Sequence, residues 1–238
     1  DYLSIFVQPL LLKTKKVIAE GFKISVTDTI PRIVLEVTSI QKQEQLSMFD
    51  DTSDADENYK IKFELFFFYN NYRFKYGIET NTVFLNSEKN AFIFNCVERN
   101  YGLEKEIVES IFKLGINLKH ISHLMTFEDG MNWLNSNFEK IENLGIEIIQ
   151  SQKKPNQKVY FIGQSSITAY ANETIDWFET TGTVQFGEFS FSLKTIILLI
   201  KQHKTEIRLP NGEYALFPKS WIEEYCILGT YSKIVDDK

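Results

Sequence analysis

Apolar and polar residues alternate through Phe22, Ile24 and Val26, and again through Ile33, Leu35 and Val37, the period of strands buried on one face. Shorter apolar runs at 3–7 and 17–19 precede them, separated by the polar stretch 13–16, and Thr29-Ile30-Pro31 divides the two strands. The same period returns over 60–77, where Asn70-Asn71 reads as a two-residue hairpin turn. That register places Phe63, Leu65, Phe67, Tyr69, Tyr72, Phe74 and Tyr76 on a core face, and Lys62, Glu64, Phe66, Phe68, Arg73 and Lys75 on the other. After a strand at 92–94 the spacing becomes helical. Leu103, Ile107, Ile111 and Leu114 form an inner stripe over 102–115, with Glu104, Lys105, Glu106 and Glu109 on the wet side and Gly115 as the stop. A second helix over 126–141 buries Met131, Leu134, Phe138 and Ile141, and Thr126 with Asp129 three positions on forms an acidic variant of the capping box. Leu144-Gly145 ends it, and 146–149 is a strand.

Polar residues 151–158, containing Pro155-Asn156, mark a boundary between an N-terminal α+β subdomain, 1–150, and a C-terminal subdomain, 159–238. In the latter, alternation over 180–189 predicts a hairpin that turns at Thr181-Gly182 or at Phe186-Gly187. Leu193, Ile196, Ile197 and Ile200 then recur at helical spacing, with Lys194, Lys201 and Gln202 among the polar positions. A second hairpin joins Ile207-Arg208-Leu209 to Tyr214-Ala215-Leu216 around Pro210-Asn211-Gly212, where Asn-Gly is expected to supply the positive φ angles of a tight turn. Pro218 suits the first turn of a last helix, and Trp221, Ile222 and Tyr225 give that helix an apolar side. Together these elements predict an α+β fold of largely antiparallel sheets with helices packed on them, in two subdomains.

The order strand, hairpin, helix, hairpin, helix in 175–221 resembles the C-terminal half of the bacterial helicase-associated domain, which lies N-terminal to the motor in Swi/Snf-type DNA-dependent ATPases. Asp176-Trp177-Phe178, Phe186-Gly187, Arg208-Leu209-Pro210-Asn211-Gly212 and Pro218-Lys219-Ser220-Trp221 carry the resemblance, and a looser likeness reaches back through Arg99 to about Tyr59. Singly these motifs are weak; their order and spacing make them fairly specific. The resemblance implies a non-catalytic accessory module that regulates or positions the ATPase domain of the same polypeptide or engages its DNA or protein target, with that ATPase domain as partner and DNA as a second candidate. Of the motif residues, Asp176, Trp177, Phe178, Gly187, Leu209, Pro210, Gly212, Pro218 and Trp221 are expected to be mainly structural, with Trp177, Trp221 and Trp133 filling cores.

A chain of 238 residues buries roughly 70% or more of its extended surface and needs neither metal nor disulfide to fold. Cys96 and Cys226 lie far apart and outside any C-x-x-C spacing, which suits a reducing cytoplasm and two buried thiols. No apolar run is long enough to span a bilayer, and the chain opens on Asp1 without Met, so it reads as a piece of a longer cytoplasmic polypeptide with no membrane partner. The P-loop Lys, the G-x-S-x-G elbow and the H-E-x-x-H helix have no counterparts, so ATPase activity, a cofactor and a small-molecule substrate are not expected of this segment, although its parent is an ATP-dependent motor by resemblance. The acidic stretch with Asp50, Asp51, Asp54, Asp56 and Glu57 lacks the Gly and Glu register of a calcium loop and reads as solvated. His120 and His123 are three apart, but no third ligand keeps company with them.

The formal net charge of −6 gives no global attraction for a polyanion, so a nucleic acid requires a local basic patch. Two places offer cations. The outer hairpin face at 62–75 mixes Arg73 and Lys75 with Phe66 and Phe68, as a base-stacking platform does, although Glu64 shares the row and the rings could equally be covered. The other is Lys153, Lys154 and Lys158 in the linker, provided the fold brings them to Lys201, Lys204 and Arg208. Pairing of Arg208 with an acid across its hairpin, such as Glu213, competes with that reading.

Overall fold

The computed structural model describes residues 3–13, 21–41, 59–78, 80, 82–88, 91–118, 122–151, 158–174 and 177–231; of these, 4, 6, 41, 59, 87, 88, 91, 169–174, 177–181 and 226–231 are described by backbone alone. The fold is α+β, helices combined with several antiparallel sheets, and the chain divides into two units. The first comprises Asp1–Thr38, Lys62–Leu124 and Ile141–Ser151, the second Ser39–Ile61, Met125–Lys140 and Gln152–Lys238. The acidic stretch, His120 and linker residues 152–157 lie outside the described residues.

In the first unit a π-helical turn, Leu3–Val7, runs into helix α1 (Gln8–Lys13), whose Pro9 sits in the first turn where its missing N–H is tolerated. Leu3, Val7 and Leu11 pack on Val83, Phe94 and their neighbours in a three-stranded sheet, β1 (Phe22–Thr27), β6 (Ala91–Val97) and β5 (Val83–Glu88) in spatial order. β1 and β6 run parallel, pairing Phe22 with Phe92 and Ile24 with Phe94.

The larger sheet has the order β4-β3-β2-β8, with β7 (His123–Thr126) also paired to β3. β2 is Arg32–Gln41, β3 Tyr59–Tyr69, β4 Tyr72–Phe74 and β8 Ile146–Ser151. The β3–β4 hairpin has the predicted register, Tyr69 opposite Tyr72 and Phe67 opposite Phe74, and its turn begins on Asn70 in the left-handed region at φ 53°. Phe63, Phe67, Tyr69 and Phe74 are buried as that register requires. β8 lies parallel to β2 with Ile33 opposite Ile146, so both of these sheets contain a parallel pair that alternation along a strand does not reveal. His123 stands on the strand β7, where residues three apart do not share a face.

Helix α2 (Tyr101–Lys113) is capped by Asn100, whose side chain accepts from the Leu103 N–H at 3.0 Å. Ile107, Val108 and Ile111 are buried on it, and so is Glu104, contrary to the wet side expected for that carboxylate. Helix α3 (Phe127–Asn143) begins at the expected cap. Thr126 Oγ1 accepts from the Asp129 N–H at 3.1 Å and donates to Asp129 Oδ2 at 2.7 Å, while Gly145 at φ 71° ends the turn after it.

The second unit has its own core. β9 (Ser165–Thr174), β10 (Trp177–Phe186) and β11 (Phe189–Ser192) form an antiparallel sheet, with the β10–β11 turn at Gly187, the second of the two expected places. Helix α4 (Leu193–Lys201) is capped by Ser192 and buries Leu193, Ile196, Ile197 and Ile200. β12 (Glu206–Arg208) and β13 (Tyr214–Leu216) pair as predicted, and α5 (Lys219–Tyr231) follows Pro218. The chain at 159–161 lies along β13, with the Tyr214 N–H donating to Val159 O and the Phe161 N–H to Tyr214 O, each at 2.9 Å. Phe186 is the hub. Its ring lies 6.2 Å from Phe161, 6.2 Å from Phe191, 6.4 Å from Phe217 and 6.0 Å from Trp221.

Two glycines are where they are because of close approach. A Cβ on Gly130 of α3 would stand 3.0 Å from Ile61 Cβ, so that helix touches its strand by backbone. Gly187 combines φ 57° with the Phe161 ring, 3.1 Å from where its Cβ would be. Gly187→Ala is expected to cost about 1–2 kcal/mol from the left-handed conformation alone, with the ring contact adding to it, read as a lower urea midpoint. Gly130→Ala is also expected to destabilise, and Ile61→Ala, which removes the Cγ2 and Cδ1 contacts at 3.2 and 3.3 Å, to suppress part of that loss in a double-mutant cycle; additivity of the two changes would rule out those methyl contacts as the cause.

Candidate functional site

The outer face of β3 and β4 gathers the cations and rings that the sequence singled out, and with them the carboxylates of two other strands. Arg73 stacks on Phe66, its guanidinium carbon 3.4 Å from the ring centroid, and pairs with Glu36 of β2. Lys75 lies 4.9 Å from the same centroid and pairs with Glu64, which also holds Lys62 at 2.8 Å. Arg32 covers Phe68 at 4.8 Å and bonds Glu147 of β8 at 2.8 Å. Burial alone would raise the Glu64 carboxyl, but its hydrogen bonds and charge interactions with Lys62 and Lys75 hold it below its ordinary value. Phe66 is buried and Phe68 half-buried, so the rings that a base would stack on are already covered by the protein's own arginines. Four cations meet three carboxylates here, and each cation has one as a partner.

Behind this hairpin sits an ion pair that the sequence did not announce. Arg99, just before the cap of α2, grips Glu104 with two bonds, Nη2 to Oε2 at 2.6 Å and Nε to Oε1 at 3.0 Å, and the two side chains are 1% and 0% exposed. The remaining Arg99 donors reach main-chain carbonyls of Lys75 at 2.9 Å and Ile78 at 3.4 Å. The Tyr69 hydroxyl donates to Glu104 Oε1 at 2.9 Å and accepts the Asn100 N–H at 2.7 Å. The guanidinium also lies 4.8 Å from the rings of both Phe74 and Tyr101. Burial, with the Glu104 carboxylate as a further cause, pushes the Tyr69 phenol well above its ordinary value. Desolvation would lower Arg99, but its bonds to Glu104 and the nearby charges raise it. Helical spacing assigned Glu104 to water because periodicity counts charge as exposed; the available signal was Arg99, a long cation within reach at the helix entry.

In the second unit the predicted cations are less concentrated. Lys153 and Lys154 lie outside the described residues. Lys158 reaches the β12–β13 hairpin, where it pairs with Glu206 and covers the Tyr214 ring at 4.7 Å. Lys201, Lys204 and Arg208 are exposed. Arg208 faces Tyr214 in the hairpin register and not Glu213, whose carbonyl accepts from the Leu209 N–H at 2.8 Å. Among the motif residues, Leu209 is buried, Pro210 and Gly212 build the turn, the Pro218 carbonyl accepts the Trp221 N–H at 2.9 Å at the start of α5, and Trp221 is half-buried against Phe186. Asp176 lies outside the described residues, as do the side chains of Trp177 and Phe178. Trp133 is half-buried on α3. Among the described residues no group of three or more His, Cys, Asp or Glu side chains is placed to hold a metal ion, and no helix is long and apolar enough to cross a membrane.

Glu104→Leu leaves the Arg99 charge buried without its partner and is expected to cost about 3–5 kcal/mol, whereas Arg99→Met combined with Glu104→Leu regains part of that loss. Because the folded state holds the Tyr69 proton more tightly than the unfolded chain does, stability is full below the ordinary phenol value of about 10 and falls as pH rises above it. Tyr69→Phe should flatten that alkaline decline in a pH series of urea midpoints. Compared with known proteins, the chain matches no family model, no curated protein and no solved structure.

Proposed function

We propose that this chain is a non-catalytic accessory module of a bacterial Swi/Snf-type ATPase, one that positions or regulates the motor by docking onto it. The observation that carries this reading is the convergence of the resemblance residues on one core. Phe186 and Trp221 touch, Leu209 is buried beside them, and Gly187, Pro210, Gly212 and Pro218 shape the turns that bring these segments together. Residues that are weak motifs singly thus act jointly to shape one unit. Docking on protein is ranked above contact with DNA for an electrostatic reason. Phosphate affinity comes from cations that release counterions, and Arg32, Lys62, Arg73, Lys75 and Lys158 are each already matched by a carboxylate of this chain.

A salt-dependent DNA titration of the purified chain, run beside a pull-down against the ATPase domain of its parent polypeptide, tests the ranking. Capture of the ATPase domain with weak DNA binding is expected. Submicromolar binding with a steep salt slope, abolished by Lys153→Glu with Lys154→Glu, makes this a DNA-binding domain instead. ATP hydrolysis by the isolated chain refutes the non-catalytic reading.

A further inference from the structure

Asn211-Gly212 is the only Asn-Gly pair in the chain. It occupies the tip of the β12–β13 hairpin, with Asn211 exposed. A glycine has no side chain to shield its amide nitrogen, so this is the peptide bond at which an asparagine side chain is most open to attack by its own backbone. The fold opposes that attack on both sides. The Gly212 N–H is spent on Leu209 O at 2.9 Å, closing a turn in which Pro210 fixes the first central φ and Gly212 takes φ 92°. Asn211 itself is not in the left-handed region that was expected of it; its Oδ1 instead accepts the Glu213 N–H at 3.1 Å, which ties the carboxamide to the turn and restricts its rotation. The nucleophile and the carbonyl carbon are thereby held by separate hydrogen bonds.

We propose that Asn211 is a deamidation site guarded by the hairpin and released when the turn opens. In the open turn the Gly212 nitrogen gives up its proton to solvent base and bonds to Asn211 Cγ; the Cγ–Nδ2 bond breaks and ammonia leaves, giving a cyclic imide. Water then opens either imide carbonyl, yielding aspartate or isoaspartate. The two products differ in consequence. Aspartate adds a carboxylate to a turn over which Arg208 already lies, its Nη2 3.9 Å from where a Gly212 Cβ would stand, and gives that exposed cation a partner. Isoaspartate lengthens the backbone by one carbon inside a turn closed by a 2.9 Å bond, and breaks it.

The full chain is incubated at mildly alkaline pH in water enriched in ¹⁸O, with and without urea, and residue 211 is followed by peptide mass spectrometry. Conversion in the folded chain is expected to be slower than in urea by on the order of tenfold or more, the fraction of time the turn is open. Leu209→Ala, which removes a buried anchor of the hairpin, is expected to convert faster than the wild type without urea. Gly212→Ala, measured in urea where the fold plays no part, is expected to slow conversion because its Cβ shields the attacking nitrogen. Equal rates with and without urea, or no conversion in urea, overturn the proposal.

Discussion

The first unit depends on a buried charge that is never left alone. Arg99 and Glu104 are removed from water together, and a buried ion of either sign without its partner costs several kcal/mol. The geometry therefore has to be complete, and it draws in four pieces of chain. Tyr69 comes from the end of β3, the Lys75 and Ile78 carbonyls from the loop after β4, Asn100 from the helix cap and Glu104 from the first turn of α2. A carboxylate in that first turn also sits at the positive end of the helix dipole. The pair thus holds the hairpin and the helix entry in one arrangement, and the hairpin's outer cations are presented from that base.

The second unit rests on a different interaction. Its anchor is the Phe186 ring, which four aromatic side chains approach: Phe161 from before it in sequence, Phe191 from the adjacent strand, and Phe217 and Trp221 from beyond the β12–β13 hairpin. Aromatic contacts of this kind are not directional enough to fix an arrangement alone, so turns of set geometry do the rest. Gly187 reverses β10 into β11 under the Phe161 ring, and the Pro210–Gly212 turn returns β12 to β13. The first unit adds a buried polar network to its apolar core, and the second relies on mostly edge-on and tilted rings with tight turns.

Electrostatics link these structural facts to function. A protein that grips phosphate keeps its cations free, whereas here the described cations of the sheet face are laid on Phe rings and tied to Glu36, Glu64 and Glu147. Such a face presents flat, locally balanced charge. On this balance rests the proposal that the chain docks on protein in preference to DNA.

The amino-acid sequence by itself determined much of the local geometry: the β3–β4 register, the place of the β12–β13 hairpin, the cap at Thr126, the buried stripe of α4 and, on α3, the burial of Met131, Leu134 and Ile141. Each follows from side-chain periodicity or a turn residue within a few positions. β9 escaped because Ser165–Thr174 is mostly polar; its pairing with β10 comes from the partner strand and not from its own alternation. Tertiary structure alone decided whether a charge faced water. Glu104 was buried by Arg99, Arg73 was neutralised by Glu36 from another strand, and Lys158 was carried 48 residues along the chain to Glu206. The parallel pairs β1–β6 and β2–β8 likewise required distant segments to meet. Periodicity records which way a side chain points along its own element, and the identity of what it meets there is set only when the elements pack.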